Sequence, residues 1–169
     1  MRVAEFEKVS FEQFIEGANK HAHVKWNPNE LKEIYDNIQL PTRATAGSSG
    51  YDFKSPFHIT LAPKSTVVIP TGIRVKIDEG WWLAAMPRSG LGFKYHVRLA
   101  NTIGNIDSDY YFSDNEGHIF LKIVNGGLCN LDIQPSQAFA QGVFLPYGIT
   151  YSDDASGVRN GGMGSTDKI

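Results

Sequence analysis

The sequence predicts an all-β core built as a sandwich, a jelly roll or a closed barrel. Short apolar runs recur between residues 66 and 145, and residues typical of turns separate them. Several of these runs are rich in β-branched side chains or alternate between apolar and polar residues, as half-buried strands do. Many short strands joined by turns favour these three architectures.

Length and composition are those of one globular domain with at most a small appendage. The chain has 169 residues, of which 41% are hydrophobic and 20% charged. A formal net charge of -2 gives no broad basic face, so we expect no direct nucleic-acid partner. Cys129 is the only cysteine, which excludes an internal disulfide and makes the cytoplasm the expected compartment. We expect no membrane contact, because no apolar run approaches the roughly 20 residues that span a bilayer.

Residues 1–39 differ from the rest because they carry helix signals. Ser10 suits an N-cap, with Gln13 at the capping-box position, so a first helix is predicted to start there. The run Asn-Pro-Asn-Glu that begins at Asn27 is a stronger start signal, and apolar residues then recur at helical spacing as far as Ile38. We expect a short helical N-terminal extension, for which the sequence indicates no function.

Residues 40–151 carry the strands of the predicted β core. The predicted strands are Thr66–Ile69, Ile73–Ile77, Trp81–Met86, Phe120–Val124 and Phe139–Leu145. The remaining residues, 152–169, are rich in Gly, Ser, Asp and Asn and can bury little apolar surface. They are predicted to form a flexible arm that a ligand or a partner subunit orders.

The stretch from Asn101 to Tyr110 holds the best candidates for chemistry. A Gly-Asn pair at Gly104 is predicted to reverse the chain, so that Asn101 and Asp107 lie on opposite arms of a hairpin and face one cavity. The Asn side chain suits a base edge, and the carboxylate is a candidate general base. Because these residue types also favour ordinary turns, a plain turn is the alternative.

Further segments carry groups that suit phosphate binding. Asp52 follows a Gly-Ser-Ser-Gly loop at a predicted strand start, and Arg88, Ser89 and Gly90 follow the strand at 81–86. Backbone N–H groups there would form an anion-binding concavity, and the arginine would clamp a phosphate or hold the loop through a carboxylate. Gln141 is polar within an apolar strand and needs a partner if it is buried.

The last such segment is Gly-rich and runs from Arg159 to Thr166. Its backbone amides would suit a phosphate chain, although no Lys follows the glycines as a Walker motif requires. Taken one at a time, each of these segments is also explained as a surface loop, an edge strand or a disordered tail.

In this order and at these spacings, the five segments resemble the five motifs of the trimeric deoxyuridine triphosphatase (dUTPase) family. The resemblance covers about residues 40–169, and it is close at Pro87–Gly92, Gly104–Tyr110 and Gly162–Thr166. The subtype of Gram-positive bacteria and their phages is the most similar, which implies the cytoplasm of a bacterium or of a phage-infected cell. The family implies a jelly-roll subunit, a distorted β-barrel, in a homotrimer with shared active sites.

The resemblance further implies hydrolysis of dUTP to dUMP and pyrophosphate. Asp107 would direct water at the α-phosphorus, chemistry that rests mainly on positioning and charge neutralisation. Mg²⁺ would be held by the substrate phosphates, with Asp52 binding one of its waters. The implied phosphate-binding residues are Arg88, Ser89, Gly90, Gln141, Arg159, Gly164, Ser165 and Thr166. The implied uracil and deoxyribose contacts are Asn101, Gly104, Ile106, Tyr110, Ile119 and Met163.

Departures from the family pattern keep a second reading open. Residues 111–116 lengthen the hairpin arm after the central motif, and Ala138 stands where the family has an arginine. Met163 replaces a stacking aromatic residue, so weaker closure of the C-terminal arm over the site is expected. Arg159 lies one residue nearer the glycines than usual. A regulatory or partner-binding protein of low turnover on the same scaffold is therefore the alternative, its partner unknown. A deaminase acting on dCTP would need a further acid/base group, for which there is no clear candidate.

Overall fold

The structure is a computed structural model that describes residues 1–21 and 26–161. Within these residues the chain is mostly β, as predicted. The helices are α1 (Phe11–His21), α2 (Pro28–Asp36) and α3 (Ser89–Tyr95), with a 3-10 turn at Ser108–Phe112. The strands are β1 (Ala4–Lys8), β2 (Thr42–Arg43), β3 (Tyr51–Lys54), β4 (Ile59–Leu61), β5 (Thr66–Pro70), β6 (Ile73–Ile77), β7 (Trp81–Pro87), β8 (Val97–Leu99), β9 (Gly104–Ile106), β10 (Phe120–Asn125), β11 (Leu131–Ile133) and β12 (Ala138–Pro146). None of the described helices is long and apolar enough to cross a membrane.

The five predicted strands are present, and each observed end lies within one residue of its predicted position. In β6, for example, Ile73, Val75 and Ile77 are buried while the two residues between them point outward. Of the seven other strands, β3 was predicted only at its start, beside Asp52. Five more, β2, β4, β8, β9 and β11, span two or three residues, too few for alternation along the sequence to identify them. The last, β1, was missed although it has five residues, as β6 does.

Antiparallel pairing joins the described strands into four sheets. The largest has the order β2-β3-β12-β7-β9, a second has the order β5-β10-β8, and β1-β6 and β11-β4 are two-stranded. The expected dUTPase-like jelly roll fits this arrangement, but the described sheets do not close into one continuous barrel. Several ladders pair only two or three residues, so they end before neighbouring sheets can join.

The N-terminal segment contains more than the expected helices. β1 pairs along its whole length with β6, and Phe6 packs against Tyr51 and Phe144 of the large sheet. Helix α2 starts at the predicted Asn27 cap, with the complete capping box. Phe14 of α1 and Leu31 of α2 lie in the core, with exposures of 0% and 1%. The segment thus contains the two expected helices and, in addition, the strand β1, and it packs as a layer of the fold.

Candidate active site

One cavity gathers residues of the central stretch and its neighbours. It has a volume of about 500 Å³, which is in the range of small-molecule sites. The predicted site residues in its walls are Asn101, Gly104, Ile106, Tyr110, Ile119 and Arg159. Five of these six were expected to bind uracil or deoxyribose, and the sixth belongs to the C-terminal arm.

The chain reverses next to Asn101, and not at the Gly-Asn pair as predicted. Thr102 takes up the positive φ of 69° that the reversal needs. Gly104 instead lies within β9, directly opposite Ala85 of β7. A Cβ atom on Gly104 would lie 3.2 Å from the Ala85 Cβ, so glycine serves close strand packing here. Asn101 therefore occupies the turn, and Asp107 lies beyond the far end of β9.

The position of β9 leaves backbone polar groups free beside the cavity. Among the described residues, β9 is an edge strand of the large sheet, with β7 on one side only. In an antiparallel edge strand, every second residue directs its N–H and C=O groups away from the ladder. Backbone donors and acceptors at Gly104–Ile106 are thus available beside the cavity for the polar edge of a planar ligand.

The Asp107 carboxylate is bonded to two residues of the cavity wall. It accepts a hydrogen bond of 2.9 Å from Asn105 Nδ2 and another from the guanidinium of Arg159. The Nε of Arg159 donates at 2.7 Å to Asp109, so one arginine joins two carboxylates. The side chain of Asp107 is 36% exposed, so water can reach it. Asn105 was not among the predicted site residues.

Tyr110 forms a fixed wall of the cavity. Its side chain is buried, and its hydroxyl donates to the carbonyl of His118 at 2.8 Å. The same hydroxyl accepts a hydrogen bond of 2.8 Å from Asn115 Nδ2. Burial raises the pKa of Tyr110, so the hydroxyl stays neutral at physiological pH. Both partners lie in or beside residues 111–116, the stretch that departs from the family pattern in sequence.

A second cluster contains residues expected to bind phosphate or metal-bound water. Gln141 of β12 lies directly between Asp52 of β3 and Met86 of β7, so the three side chains share one face of the large sheet. Arg88 Nε lies 3.3 Å from the Asp52 carboxylate, so this arginine holds the loop. A Cβ on Gly50 would lie 2.8 Å from Gln141 Oε1, and glycine there leaves room for the amide.

Ser89 and Gly90 begin a helix where a loop was predicted. Arg88 is the N-cap of α3, and its carbonyl accepts from the N–H groups of Leu91 and Gly92. The N–H groups of Ser89 and Gly90 precede these bonds and have no partner within the helix. Both residues are exposed, so their amides are accessible to an anion.

The two clusters occupy the same sheet face but lie apart. Asn105 pairs with Ala84, whereas Gln141 pairs with Met86 on the opposite edge of β7. Strand spacing and rise place the backbones of Asp107 and Gln141 roughly 15 Å apart. The other predicted contacts, Met163, Gly164, Ser165 and Thr166, lie outside the described residues.

The donor set fits a magnesium ion that the substrate itself binds. Within residues 1–21 and 26–161, no three His, Cys, Asp or Glu side chains form a cluster able to hold a metal ion. Mg²⁺ bound to phosphates usually keeps several waters and takes only one or two protein carboxylates. The Asp52 carboxylate, 18% exposed beside Arg88, can accept a hydrogen bond from such a water.

Residues 36–167 match the family model for dUTPase, which covers well over half of the chain. The chain belongs to the dUTPase family. The deoxyuridine 5'-triphosphate nucleotidohydrolase of Tolumonas auensis is 38% identical over an alignment of 141 positions, and the match covers 79% of this chain and 90% of that relative. This confirms the family and the class of enzyme that the motifs predicted.

Solved dUTPase structures have the same fold. The dUTPase of Streptococcus mutans is 28% identical and superposes with a TM-score of 0.64, covering 86% of this chain and 97% of that one. A mutant dUTPase from phage phi11 of S. aureus, described with a structural Mg(II) ion, gives a TM-score of 0.65 at 19% identity. That comparison covers 92% of this dUTPase-family chain and 98% of the phage protein.

Proposed function

We propose that this chain hydrolyses dUTP to dUMP and pyrophosphate. One observation carries the proposal: the residues that the motifs assign to uracil and deoxyribose line one cavity, and the Asp107 carboxylate is bonded to two residues of its wall. The name of the Tolumonas relative supports the same substrate. We place the reaction in the cytoplasm, as the single cysteine led us to expect.

Uracil would lie against the free edge of β9, near Asn101. Backbone groups at Gly104 and Ile106 would pair with the polar edge of the base. A donor held at the position of the uracil C4 carbonyl would reject the amino group of cytosine, because a buried donor would stay unpaired. The close approach of β9 to the base would exclude the C5 methyl group of thymine.

The deoxyribose would pack on Tyr110. The ring is buried and its hydroxyl already makes two hydrogen bonds, so it offers no free polar group to a 2′-hydroxyl. A ribose would bring an unpaired hydroxyl against this apolar ring, which disfavours UTP.

Asp107 would orient and deprotonate the attacking water. The water oxygen bonds to the α-phosphorus, the bond from that phosphorus to the α–β bridging oxygen breaks, and pyrophosphate leaves. Bound Mg²⁺ would neutralise negative charge on the triphosphate. Arg159, which pairs with Asp107 in this structure, would turn its guanidinium to the phosphates when substrate arrives, and this frees the carboxylate for water.

We also propose that the working site forms between chains of a homotrimer. In one chain, the phosphate cluster around Gln141 lies two strands away from Asp107, so a neighbouring copy would supply the amides of Ser89 and Gly90. Phe93, on α3 beside them, is 89% exposed in the single chain, and Ile103 at the cavity is 47% exposed. Large exposed apolar side chains next to both halves of the site support a subunit contact there.

The test is pyrophosphate release from dUTP, dCTP, dTTP and UTP, with and without Mg²⁺, for the wild type and Asp107→Asn. We expect Mg²⁺-dependent turnover of dUTP alone, nearly abolished by the substitution. Absence of turnover in the wild type would refute the proposal and favour a regulatory protein on this scaffold. The mass of the protein in solution tests the trimer separately.

A further inference from the structure

Tyr110 is held by a short turn that belongs to none of the five motifs. Asn115 and His118, its two hydrogen-bond partners, flank Glu116 and Gly117. We propose that Glu116 is a positioning residue for Tyr110, and that through its bonds to Ser10 the N-terminal helix α1 is part of the nucleoside site. The inference rests on the proposed function and deepens it.

The turn has a backbone that needs support. Glu116 and Gly117 both have positive φ, 56° and 69°. A glutamate in this region is uncommon and persists where neighbouring groups hold it. A Cβ on Gly117 would lie 2.8 Å from the carbonyl oxygen of Tyr110, so the turn presses directly on the residue that it positions.

Ser10 supplies the support for Glu116. One carboxylate oxygen accepts from the Ser10 N–H at 2.7 Å, and the other accepts from the Ser10 hydroxyl at 2.6 Å. The hydroxyl in turn accepts from the N–H of Gln13 at 3.1 Å and caps α1. Glu116 thus takes the part that Gln13 was predicted to play in the capping box, from 106 residues away.

The pair is charge-assisted. Partial burial raises the pKa of Glu116, but the two hydrogen bonds from Ser10, together with the charges of Arg74 and His118, leave the pKa below its ordinary value. Glu116 is therefore ionised at neutral pH, and hydrogen bonds to a carboxylate are stronger than those between neutral groups.

A second contact joins α1 to the same turn. The His118 ring is fully buried, and its Nε2 accepts from the N–H of Gly72 at 2.9 Å. A Cβ on Gly17 of α1 would lie 2.8 Å from His118 Cε1. Helix α1 is therefore fixed against both sides of the turn, through Glu116 at its N-cap Ser10 and through His118 at its middle. Movement of α1 would displace the carbonyl that holds Tyr110.

The experiment compares Glu116→Gln and Ser10→Ala with Ser10→Thr, which keeps the hydroxyl, and Glu16→Gln, an exposed glutamate on the same helix. Steady-state kinetics with dUTP and UTP give kcat and KM for each. We expect the first two variants to raise KM for dUTP and to lower the preference for dUTP over UTP by about tenfold, as for loss of one hydrogen bond to a charged group. In both variants kcat for dUTP should stay close to the wild-type value. The two controls, Ser10→Thr and Glu16→Gln, should keep the wild-type kcat, KM and selectivity.

Unchanged selectivity in both Glu116→Gln and Ser10→Ala would overturn the inference. If Glu116→Gln does not fold, Ser10→Ala carries the test, because it removes one bond and leaves the carboxylate. A wild type that does not turn over dUTP would refute the proposed function instead. Binding of a non-hydrolysable dUTP analogue to the same variants would then decide the inference, which predicts about tenfold weaker binding for Ser10→Ala than for Ser10→Thr.

Discussion

The guanidinium of Arg159 forms an ion pair with the carboxylate of Asp107 and so joins the C-terminal arm to the proposed general base. The rest of the described arm, residues 152–161, is exposed except at Gly161 and has neither helix nor strand. The arm is thus held to the cavity by this arginine, through Asp107 and Asp109. A triphosphate would compete for the same guanidinium, which links substrate binding to release of the base.

Arg159→Ala should lower kcat/KM for dUTP by tenfold or more while leaving stability nearly unchanged. Partly exposed ion pairs contribute only about 0–1 kcal/mol to folding, whereas contacts to a phosphate chain act directly on the reaction. Arg159→Lys keeps the charge but loses the planar fork, so an intermediate rate is expected. Steady-state kinetics and thermal unfolding measure the two effects. Wild-type kcat/KM in Arg159→Ala would show that the arginine does not act on substrate.

Gly17→Ala should destabilise the protein although it lies within a helix. Alanine is favoured over glycine there by about 1 kcal/mol, but overpacking a core costs about 1–3 kcal/mol. The new Cβ would meet the buried His118 ring at 2.8 Å, and that ring is fixed by its bond to Gly72. We therefore expect a lower urea midpoint. Gly148→Ala, where nothing lies within 4 Å, is the matched control, and a Gly17→Ala variant more stable than wild type would contradict the packing of α1 on His118.

Gly50→Ala should affect activity more than stability. Its Cβ would lie 2.8 Å from Gln141 Oε1, the end of a side chain that can turn aside. The side-chain amide of Gln141 would then be displaced from Asp52 and Arg88, the residues expected to bind metal-bound water and phosphate. KM for dUTP should therefore rise severalfold, with little change in the unfolding midpoint. Gly47→Ala in the same loop, with open space around it, should match the wild type. Equal kinetics for the two variants would argue against a role of Gln141 in binding.

Acid should destabilise the fold through His118. Desolvation by burial lowers the pKa of this histidine from 6.5 to about 4, so the folded state keeps it neutral. As pH falls below 6.5, His118 becomes protonated in the unfolded chain but stays neutral in the folded protein. Protonation therefore favours unfolding, and the free energy of unfolding decreases progressively between pH 6.5 and about 4. The whole effect amounts to about 3 kcal/mol. Unfolding free energies measured across this range should show a shallower pH dependence for His118→Gln than for wild type, and parallel curves would contradict it.

The fold was predictable to the extent that it rests on local patterns. The strand at Ile73–Ile77 alternates over five residues, and Asn27 starts α2 with a complete capping box, so both are legible in sequence. β9 spans only three residues and contains a turn-forming Gly-Asn pair. Pairing with β7 holds these residues in a strand, and their own propensities could not indicate this.

The site was predictable as motifs but not as geometry. Asn101, Gly104 and Tyr110 were identified from their order along the chain, and they meet at one cavity. The bonds that fix Tyr110 come from a turn whose support, Ser10, lies 106 residues away from Glu116. A contact of that separation leaves no periodic trace in the sequence, so only the folded chain reveals it.

The proposed mechanism depends above all on which phosphorus the water attacks, and isotope labelling tests this most directly. Hydrolysis of dUTP in ¹⁸O-labelled water, followed by mass spectrometry of both products, shows which phosphorus is attacked. Attack at the α-phosphorus, directed by Asp107, predicts the label in dUMP and none in pyrophosphate. Label in pyrophosphate would place the attack at the β-phosphorus and contradict the assigned role of Asp107.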